Sequence, residues 1–267
     1  KTAIVVGDGV SYEFAQDIIE KVSKEYTLSK EHQYIFAGLP SETEHNMSQL
    51  YIDSGTVVKD KQDREAYLLK QNKDKSIGFI DLEKVNETSD KEHYLICSYK
   101  DPDKLGETYQ HKALKYFDLV AGIFATKIEQ LFKNGYQNVY LVTDHGFVLT
   151  GILDNSDKIE VDFKGNVKIS ERFIRSENKQ KIDTNLLIEK EVVYNNFNYS
   201  YFAKRLGPFK STGVYGFSHG GLSPQETIIP FLKWSNDNNA QDQVHVMIAN
   251  KSDLSDVTGY LFSIVLK

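Results

Sequence analysis

The sequence lacks several features that mark other classes of protein. Its 267 residues include one cysteine, Cys97, which excludes an internal disulfide framework and leads us to expect a reducing, cytoplasmic location. No window predicts a membrane span or a secretory signal, so no membrane partner is expected. The G-x-x-x-x-G-K-[ST] motif of P-loop nucleotide hydrolases is absent. Cys97 lies in CSYKD rather than in a C-x-P-x-R context, which argues against a sulfatase.

The chain also lacks an excess of positive charge. It has 32 basic and 38 acidic side chains, with a formal net charge of −6. This argues against a general nucleic-acid coat protein, because phosphate binding needs clustered Lys and Arg. Bound divalent cations would offset part of the acidity, so a phosphate-containing substrate stays compatible with the composition.

Short apolar runs, which predict strands, alternate along the chain with segments of helical spacing. Strands are predicted at 2–6, 34–37, 94–98 and 139–142, and helices at 11–25 and 109–134. This order predicts a three-layer α/β/α fold with a mostly parallel central sheet and helices on both faces. Later in the chain, Ser223 and Glu226 have the spacing of a capping box, which is a structural feature rather than a catalytic one.

We predict one main domain over residues 1–242 with two surface or cap insertions, about 51–92 and 152–212. The first insertion is polar, and in the second the alternation of KIEVDF and NVKIS predicts a hairpin. Residues 243–267 predict a pair of strands, a small C-terminal β segment that would begin a further domain. Because the chain opens directly on one strand-like run and stops within another, we expect a segment of a longer protein or a trimmed form.

Polar side chains follow the predicted strands, where open α/β sheets bind their ligands. They are Asp8 after the first strand, Ser41, Thr43 and Asn46 after the second, Asp101 and Asp103 after the third, Asp144 and His145 after the fourth, and His219 in a late glycine-rich turn. Each residue alone is explained as a turn former or a helix cap. Together, carboxylates and imidazoles at one sheet edge favour a divalent-metal site.

Four motifs carry a resemblance to a known family. VVGDGVSYEF, LPSETEHNM, VTDHGF and FSHGGLSPQETIIPFL, in that order, resemble the PglZ domain, a branch of the alkaline phosphatase superfamily. The resemblance spans residues 3–232 and implies an alkaline phosphatase-like fold. PglZ domains occur in bacterial phage-exclusion (BREX) loci and in some response-regulator proteins. The superfamily includes phosphomonoesterases, phosphodiesterases, phosphomutases and sulfatases.

The resemblance implies a site for two divalent metal ions. Asp8, Asp144 and His145 would hold one ion beside the nucleophile Thr43, whose oxygen would also be a ligand. Mixed Asp and His ligation favours zinc, with manganese or magnesium as alternatives.

The second ion would take Asp103 and His219, but the third ligand departs from the family pattern. Superfamily members often carry an acid followed by Gly-His, whereas here Gly106 is followed by Glu107 and the next histidine is His111. Either a short insertion brings His111 to the metal, or Glu107 substitutes for it.

The nucleophile is assigned from the pattern Pro-x-x-Thr-x-x-Asn of related phosphodiesterases, which Pro40, Thr43 and Asn46 fit. By this resemblance, Asn46 would donate a hydrogen bond to a phosphoryl oxygen. Ser41 is a competing nucleophile that the local sequence leaves open.

These features predict a metal-dependent phosphodiesterase acting on nucleotides or nucleic acid, in bacterial phage defence and together with partner proteins. Two alternatives remain open at this point. One is a catalytically weak, phosphatase-like scaffold or regulatory module in a defence or signalling complex, and the other is a phosphomonoesterase or mutase.

Overall fold

The computed structural model of the chain describes residues 1–31, 33–89, 91–151, 154–210 and 216–236. The predicted C-terminal β segment at 243–267 lies outside these residues, and the domain limits stay a prediction. No helix within the described ranges has the length and apolar character needed to cross a bilayer.

The strands are short and occur throughout the described ranges. They are β1 Thr2–Gly7, β2 Thr27–Leu28, β3 Tyr34–Phe36, β4 Ile77–Asp81, β5 Tyr94–Tyr99, β6 Asn138–Thr143, β7 Val148–Leu149, β8 Val167–Ile169, β9 Phe173–Ser176, β10 Leu187–Tyr194, β11 Phe197–Ala203, β12 Phe217–Ser218 and β13 Ile228–Ser235.

The central sheet has the strand order β2-β13-β6-β1-β5-β4, with β3 paired to β13. The four strands β6, β1, β5 and β4 run parallel to one another. The strand β13 runs antiparallel to β6, β2 and β3. The predicted mostly parallel sheet is confirmed, and its parallel strands carry their carboxyl ends to one edge.

The helices are α1 Tyr12–Lys21, α2 Thr43–Gln49, α3 Lys61–Gln71, α4 Asp101–Tyr109, α5 Leu114–Lys133 and α6 Pro224–Thr227, and 3₁₀ turns cover Leu82–Lys84, Gln110–Ala113 and Asn155–Asp157. The single helix predicted at 109–134 is wrong at its start. The backbone of Gln110 adopts a left-handed φ of 54°, which ends α4 and separates it from α5. The start of α1 agrees with its sequence, since Ser11 Oγ accepts the Phe14 N–H at 3.1 Å.

Helices cover both faces of the sheet, because alternate residues of β1 enter two different cores. Ala3 and Val5 pack in a core that includes side chains of α1 and α5. Ile4 and Val6 face the opposite way, into a smaller core with Met47 of α2 and Leu68 of α3. The period of two along a strand thus builds the predicted three-layer architecture.

The polar segment predicted as an insertion at about 51–92 is partly integral to the sheet. It supplies α3 and the edge strand β4, which pairs in parallel with β5 from Ile77 to Asp81. Its weak apolar signal follows from its place at the edge, where a strand is covered less completely.

The second predicted insertion, 152–212, contains a separate antiparallel sheet with the order β10-β11-β9-β8. The predicted hairpin between KIEVDF and NVKIS is wrong, because β8 pairs with β9 instead. Ile159, Val161 and Phe163 of KIEVDF pack against the core of this sheet. Their alternation therefore reflects one-sided burial, with a single parallel bridge between Ile159 and Phe209 in place of the predicted hairpin.

A buried ion pair links this second sheet to α6. Arg172 donates from Nε and Nη2 to the two carboxylate oxygens of Glu226 at 3.1 Å each, and both side chains are at most 1% exposed. Glu226 also belongs to the predicted capping box, since its Oε2 accepts the Ser223 N–H at 3.1 Å. Burial alone would raise the pKa of the Glu226 carboxyl, but Arg172 and Ser223 lower it below its ordinary 4.5.

We expect Arg172→Ala to lower the free energy of unfolding by about 3–5 kcal/mol, because it leaves the Glu226 charge buried without its partner. Urea denaturation measures the change. Because the folded-state pKa of Glu226 is lowered, the pair stabilises fully above pH 4.5 and its contribution is lost as the pH falls through that lowered pKa. The difference between wild type and variant should therefore shrink below pH 4.5.

The matched control is Lys210→Ala, which breaks an ion pair with Glu160 whose side chains are 46% and 75% exposed. This change should cost at most about 1 kcal/mol. Equal effects of the two substitutions would contradict the assigned role of the buried pair.

Candidate active site

The candidate site lies where the parallel strands end. Asp8 follows β1, Asp144 and His145 follow β6, and Asp103 lies in the first turn of α4 just after β5. The Asp103 N–H donates to the Asp8 carbonyl oxygen at 3.2 Å, which joins α4 to the end of β1. These residues are therefore gathered as their positions after the predicted strands indicated.

The Asp144 side chain is held in one orientation by donors around a single oxygen. Its Oδ1 accepts from the Gly9 N–H at 3.2 Å, the His145 N–H at 3.0 Å and the Thr143 hydroxyl at 3.2 Å. Its Oδ2 is buried and has no hydrogen-bond partner. The fixed Oδ1 leaves Oδ2 available to a ligand.

Two neighbouring carboxylates also have an oxygen atom that lacks a hydrogen-bond partner. Asp8 Oδ1 and Asp103 Oδ1 are also buried without a hydrogen-bond partner. Burial, together with the charges of Asp144 and Asp103, raises the pKa of the Asp8 carboxyl well above its ordinary value. Buried, unpaired acceptors of this kind are costly unless a cation or a proton satisfies them.

His145 presents a lone pair to this cluster. Its Nδ1 donates to the Gly146 carbonyl at 3.0 Å, so Nε2 is the acceptor in the neutral ring. Nε2 lies 2.9 Å from Thr43 Oγ1, 3.4 Å from Asp144 Oδ2 and 3.8 Å from Asp8 Oδ1. Burial lowers the pKa of this imidazole despite the nearby Asp144, which favours the neutral, ligating form.

His219 lies flat against His145, with ring centroids 3.9 Å apart and an angle of 7° between the planes. Its Nδ1 donates to the Ser41 carbonyl at 3.1 Å, and Nε2 lies 3.8 Å from Asp103 Oδ1. Burial lowers the pKa of His219, but Asp103 and the Ser41 carbonyl outweigh it and leave the pKa raised.

Two overlapping groups of side chains have the geometry to hold cations. Asp8, Asp144 and His145 form one, and Asp103, His145 and His219 form the other, each with its ligand atoms within 4.8 Å of one another. Together they contain the three unpartnered carboxylate oxygens and two imidazoles whose Nδ1 atoms are held by carbonyl oxygens. This donor set fits divalent metal ions.

The two candidate nucleophiles have different surroundings. Ser41 is fully buried, and its hydroxyl donates to the Gly221 carbonyl at 2.9 Å and accepts the Gly220 N–H at 3.2 Å. Thr43 is the first residue of α2, and its hydroxyl contacts His145 Nε2. The geometry therefore favours Thr43 over Ser41.

Two predicted site residues are not brought into the groups. Asn46 is buried, its Nδ2 donates to the Gly38 carbonyl at 3.0 Å, and its contact with a phosphoryl oxygen stays a prediction. His111 belongs to neither ligand group among the described residues, because the break at Gln110 places it in the turn after α4. Its role as a metal ligand has no support in this geometry.

Two further acidic residues, Glu107 and Glu171, lie near His219. Glu107 lies one helical turn after Asp103 on α4, and Glu171 precedes β9. Both line a cavity of about 470 Å³ with Asp103 and His219. Burial raises the pKa of Glu171 to about 7. The spacing of Glu107 from Asp103 indicated Glu107 as a candidate ligand in the sequence. Glu171 comes from a distant segment, and no sequence pattern indicated it.

The start of α2 is fixed from the second sheet. The guanidinium of Arg175 on β9 is paired with Glu42, the residue before Thr43, and stacks 3.9 Å from the Tyr194 ring centroid. The Tyr194 hydroxyl donates to Glu44 Oε2 at 2.9 Å. These contacts hold both residues that flank Thr43 in the chain.

Gly146 is required by a close approach. A Cβ at this position would lie 2.0 Å from the Gln225 carbonyl oxygen, and the Gly146 N–H donates to the Glu226 carbonyl at 3.0 Å. The turn after His145 is thus packed directly on α6.

The family resemblance agrees with comparisons to known proteins. Residues 104–234 match the family model described as the BREX system PglZ alkaline phosphatase-like domain. A curated relative, the alkaline phosphatase-like protein PglZ of Bacillus cereus (strain H3081.97), is 22% identical over 261 residues. The match covers 88% of this chain but 30% of that protein, so the chain spans less than a third of the relative's length.

Solved structures share the fold. Human ectonucleotide pyrophosphatase/phosphodiesterase 5 aligns with a TM-score of 0.60 at 12% identity, covering 87% of both chains. The murine protein, as an inactive variant in complex with AMP, aligns with a TM-score of 0.54 at 11% identity over the same shares. The chain therefore has the fold of these proteins. The predicted family resemblance is confirmed, since residues 104–234 match the PglZ family model and the curated relative is itself a PglZ protein.

Proposed function

We propose that this chain is a divalent-metal-dependent phosphodiesterase that uses Thr43 as its nucleophile and acts on nucleotides or nucleic acid. The observation that carries the proposal is the Thr43 hydroxyl, 2.9 Å from His145 Nε2, beside three buried carboxylate oxygens without partners. A role in bacterial phage defence, with partner proteins, is proposed from the BREX description of the matched family.

The residues that would hold the ions follow from the two ligand groups. Asp8, Asp144, His145 and the Thr43 oxygen would hold one ion, and Asp103 and His219 would hold the other. When bound, divalent ions there would supply Lewis-acid charge that lowers the pKa of the Thr43 hydroxyl and offsets charge on the phosphoryl group. Zinc suits the mixed Asp and His donors, and manganese or magnesium would suit the second site if Glu107, which lines the same cavity as Asp103 and His219, added its carboxylate.

The chain's own residues position the reacting groups. Thr43 Oγ attacks phosphorus, the bond to one alcohol breaks with its electron pair on that alcohol's oxygen, and the hydroxyl proton passes to solvent. The released alkoxide takes a proton from solvent. Water then hydrolyses the phosphodiester that joins Thr43 to the second alcohol, which releases a phosphomonoester and restores the hydroxyl. His145, fixed through Nδ1, keeps Nε2 at the Thr43 hydroxyl, and Asp144, fixed through Oδ1, keeps its free Oδ2 beside His145 Nε2.

A colorimetric assay tests this proposal. The protein is stripped of metal with a chelator, reloaded with zinc, manganese or magnesium, and given bis-p-nitrophenyl phosphate or p-nitrophenyl phosphate. We expect diester hydrolysis that appears with metal, disappears with chelator and exceeds monoester hydrolysis. Faster monoester turnover would instead identify a phosphomonoesterase.

The absence of His111 from both ligand groups favours a second candidate, a catalytically weak scaffold or regulatory module. This candidate predicts that the metal-loaded protein hydrolyses neither ester. Metal analysis of the same samples separates it from a protein that is inactive only because metal was not bound.

A further inference from the structure

A second cavity opens at Thr43, and its charged lining is mostly basic. The four basic residues Lys59, Lys61, Arg64 and Lys100 line it together with Thr43 and the two acids Asp8 and Glu44, in a volume of about 130 Å³. We call this the basic cavity. Lys59 precedes α3, Lys61 and Arg64 lie on it, and Lys100 follows β5. The acidic composition of the whole chain gives no sign of this local cluster, because Lys100 joins Lys59, Lys61 and Arg64 only in the fold.

Arg64, one of the lining residues, has an unsatisfied donor. Arg64 as a whole residue is only 7% exposed. Nη1 donates to the Val58 and Lys59 carbonyl oxygens at 3.0 and 2.6 Å, but Nε is buried and has no partner. A buried guanidinium N–H without an acceptor is unfavourable. Because Arg64 lines the basic cavity, an anion bound there would lie beside this guanidinium.

The lysines add charge that is only partly compensated. Lys61 Nζ donates to Ser98 Oγ at 2.7 Å and lies 3.6–3.7 Å from two carboxylates. Lys59 pairs with Glu44. Lys100 is exposed and makes no ion pair within the part of the chain that the structure describes. Strongly basic donors in this arrangement suit phosphate oxygens.

The cavity on the His219 side has the opposite character. It is lined by Glu42, Glu44, Asp103, Glu107 and Glu171 and by one lysine, Lys168. Thr43 and Glu44 line both cavities. An anion next to the reacting phosphate is therefore repelled on one side of Thr43 and attracted on the other.

We infer that the basic cavity binds a second phosphate group of the substrate, adjacent to the phosphate that Thr43 attacks. This inference rests on the proposed function, since it places the reacting phosphate at Thr43. It narrows the substrate to molecules with neighbouring phosphates, which are nucleoside polyphosphates or a nucleic-acid backbone. Simple diesters would occupy the reacting position alone and bind more weakly.

Phosphate binding to metal-stripped protein tests the cavity apart from catalysis. Isothermal titration calorimetry with inorganic phosphate, in the presence of chelator, should show one site. Arg64→Gln and Lys100→Gln should each weaken it by about ten-fold, the effect of losing one charge-assisted hydrogen bond. Lys70→Gln, an exposed change on the same helix, should leave it unchanged.

Lys100→Gln keeps the test decisive if Arg64→Gln does not fold, because the exposed Lys100 side chain contributes little to packing. No phosphate binding without metal, or wild-type affinity in Lys100→Gln, would overturn the inference. The phosphodiesterase proposal would survive that result, since its assay uses metal and a simple diester.

Competition identifies the source of the second phosphate. Displacement of bound phosphate by adenosine triphosphate but not by a thymidine decamer assigns the cavity to nucleoside polyphosphates, and the reverse result assigns it to a nucleic-acid backbone. If neither ligand displaces phosphate, the cavity is not part of a substrate site and the inference fails.

Discussion

Thr43→Ala is expected to abolish diester hydrolysis, with a fall in kcat on the order of 10³-fold or more, because it removes the only atom proposed to attack phosphorus. The carboxylates and imidazoles stay in place, so metal binding should persist. The measurement is the rate of p-nitrophenolate release at saturating diester, together with the metal content of wild type and variant.

Two further variants make the result specific. Thr43→Ser restores a hydroxyl at the same position and should recover turnover. Ser41→Ala should keep turnover, although loss of the hydrogen bonds with Gly220 and Gly221 is expected to reduce stability. Full activity in Thr43→Ala, combined with loss in Ser41→Ala, would transfer the nucleophile to Ser41.

Asp144→Asn is expected to remove the response of the protein to metal without unfolding it. The asparagine Oδ1 can accept the hydrogen bonds that Asp144 Oδ1 now accepts from Gly9, Thr143 and His145. The change replaces only Oδ2, the atom left without a partner. It also removes a buried negative charge beside Asp8, so the metal-free variant should be at least as stable as wild type.

Metal-dependent stability is the measurement. At a free metal concentration 100 times the dissociation constant, wild type should gain about 2.7 kcal/mol of unfolding free energy. The variant should gain far less, and its diester hydrolysis should fall with its metal content. Asp118→Asn, whose side chain is 86% exposed in wild type, is the matched control and should behave as wild type. An equal metal response in Asp144→Asn would remove Asp144 from the site.

The architecture was predictable where local patterns carry it. Period-two burial in β1 and β6, helical spacing in α1 and α5, and the Ser11 cap are properties of short segments. Asp8, Asp144 and His145 follow directly from this pattern, because the end of a parallel strand fixes the sheet edge at which a side chain lies. The sequence by itself therefore determined the fold class and the centre of the candidate site.

Other features depend on contacts between distant segments, which local patterns do not specify. The stacking of His145 on His219 and the pairing of Arg175 with Glu42 join residues that are far apart in the chain. The position of His111 was settled by the left-handed backbone of one residue, Gln110. Only the tertiary structure gathered the four cations of the basic cavity beside Thr43, because Lys59, Lys61 and Arg64 meet Lys100 only after α3 packs next to the end of β5.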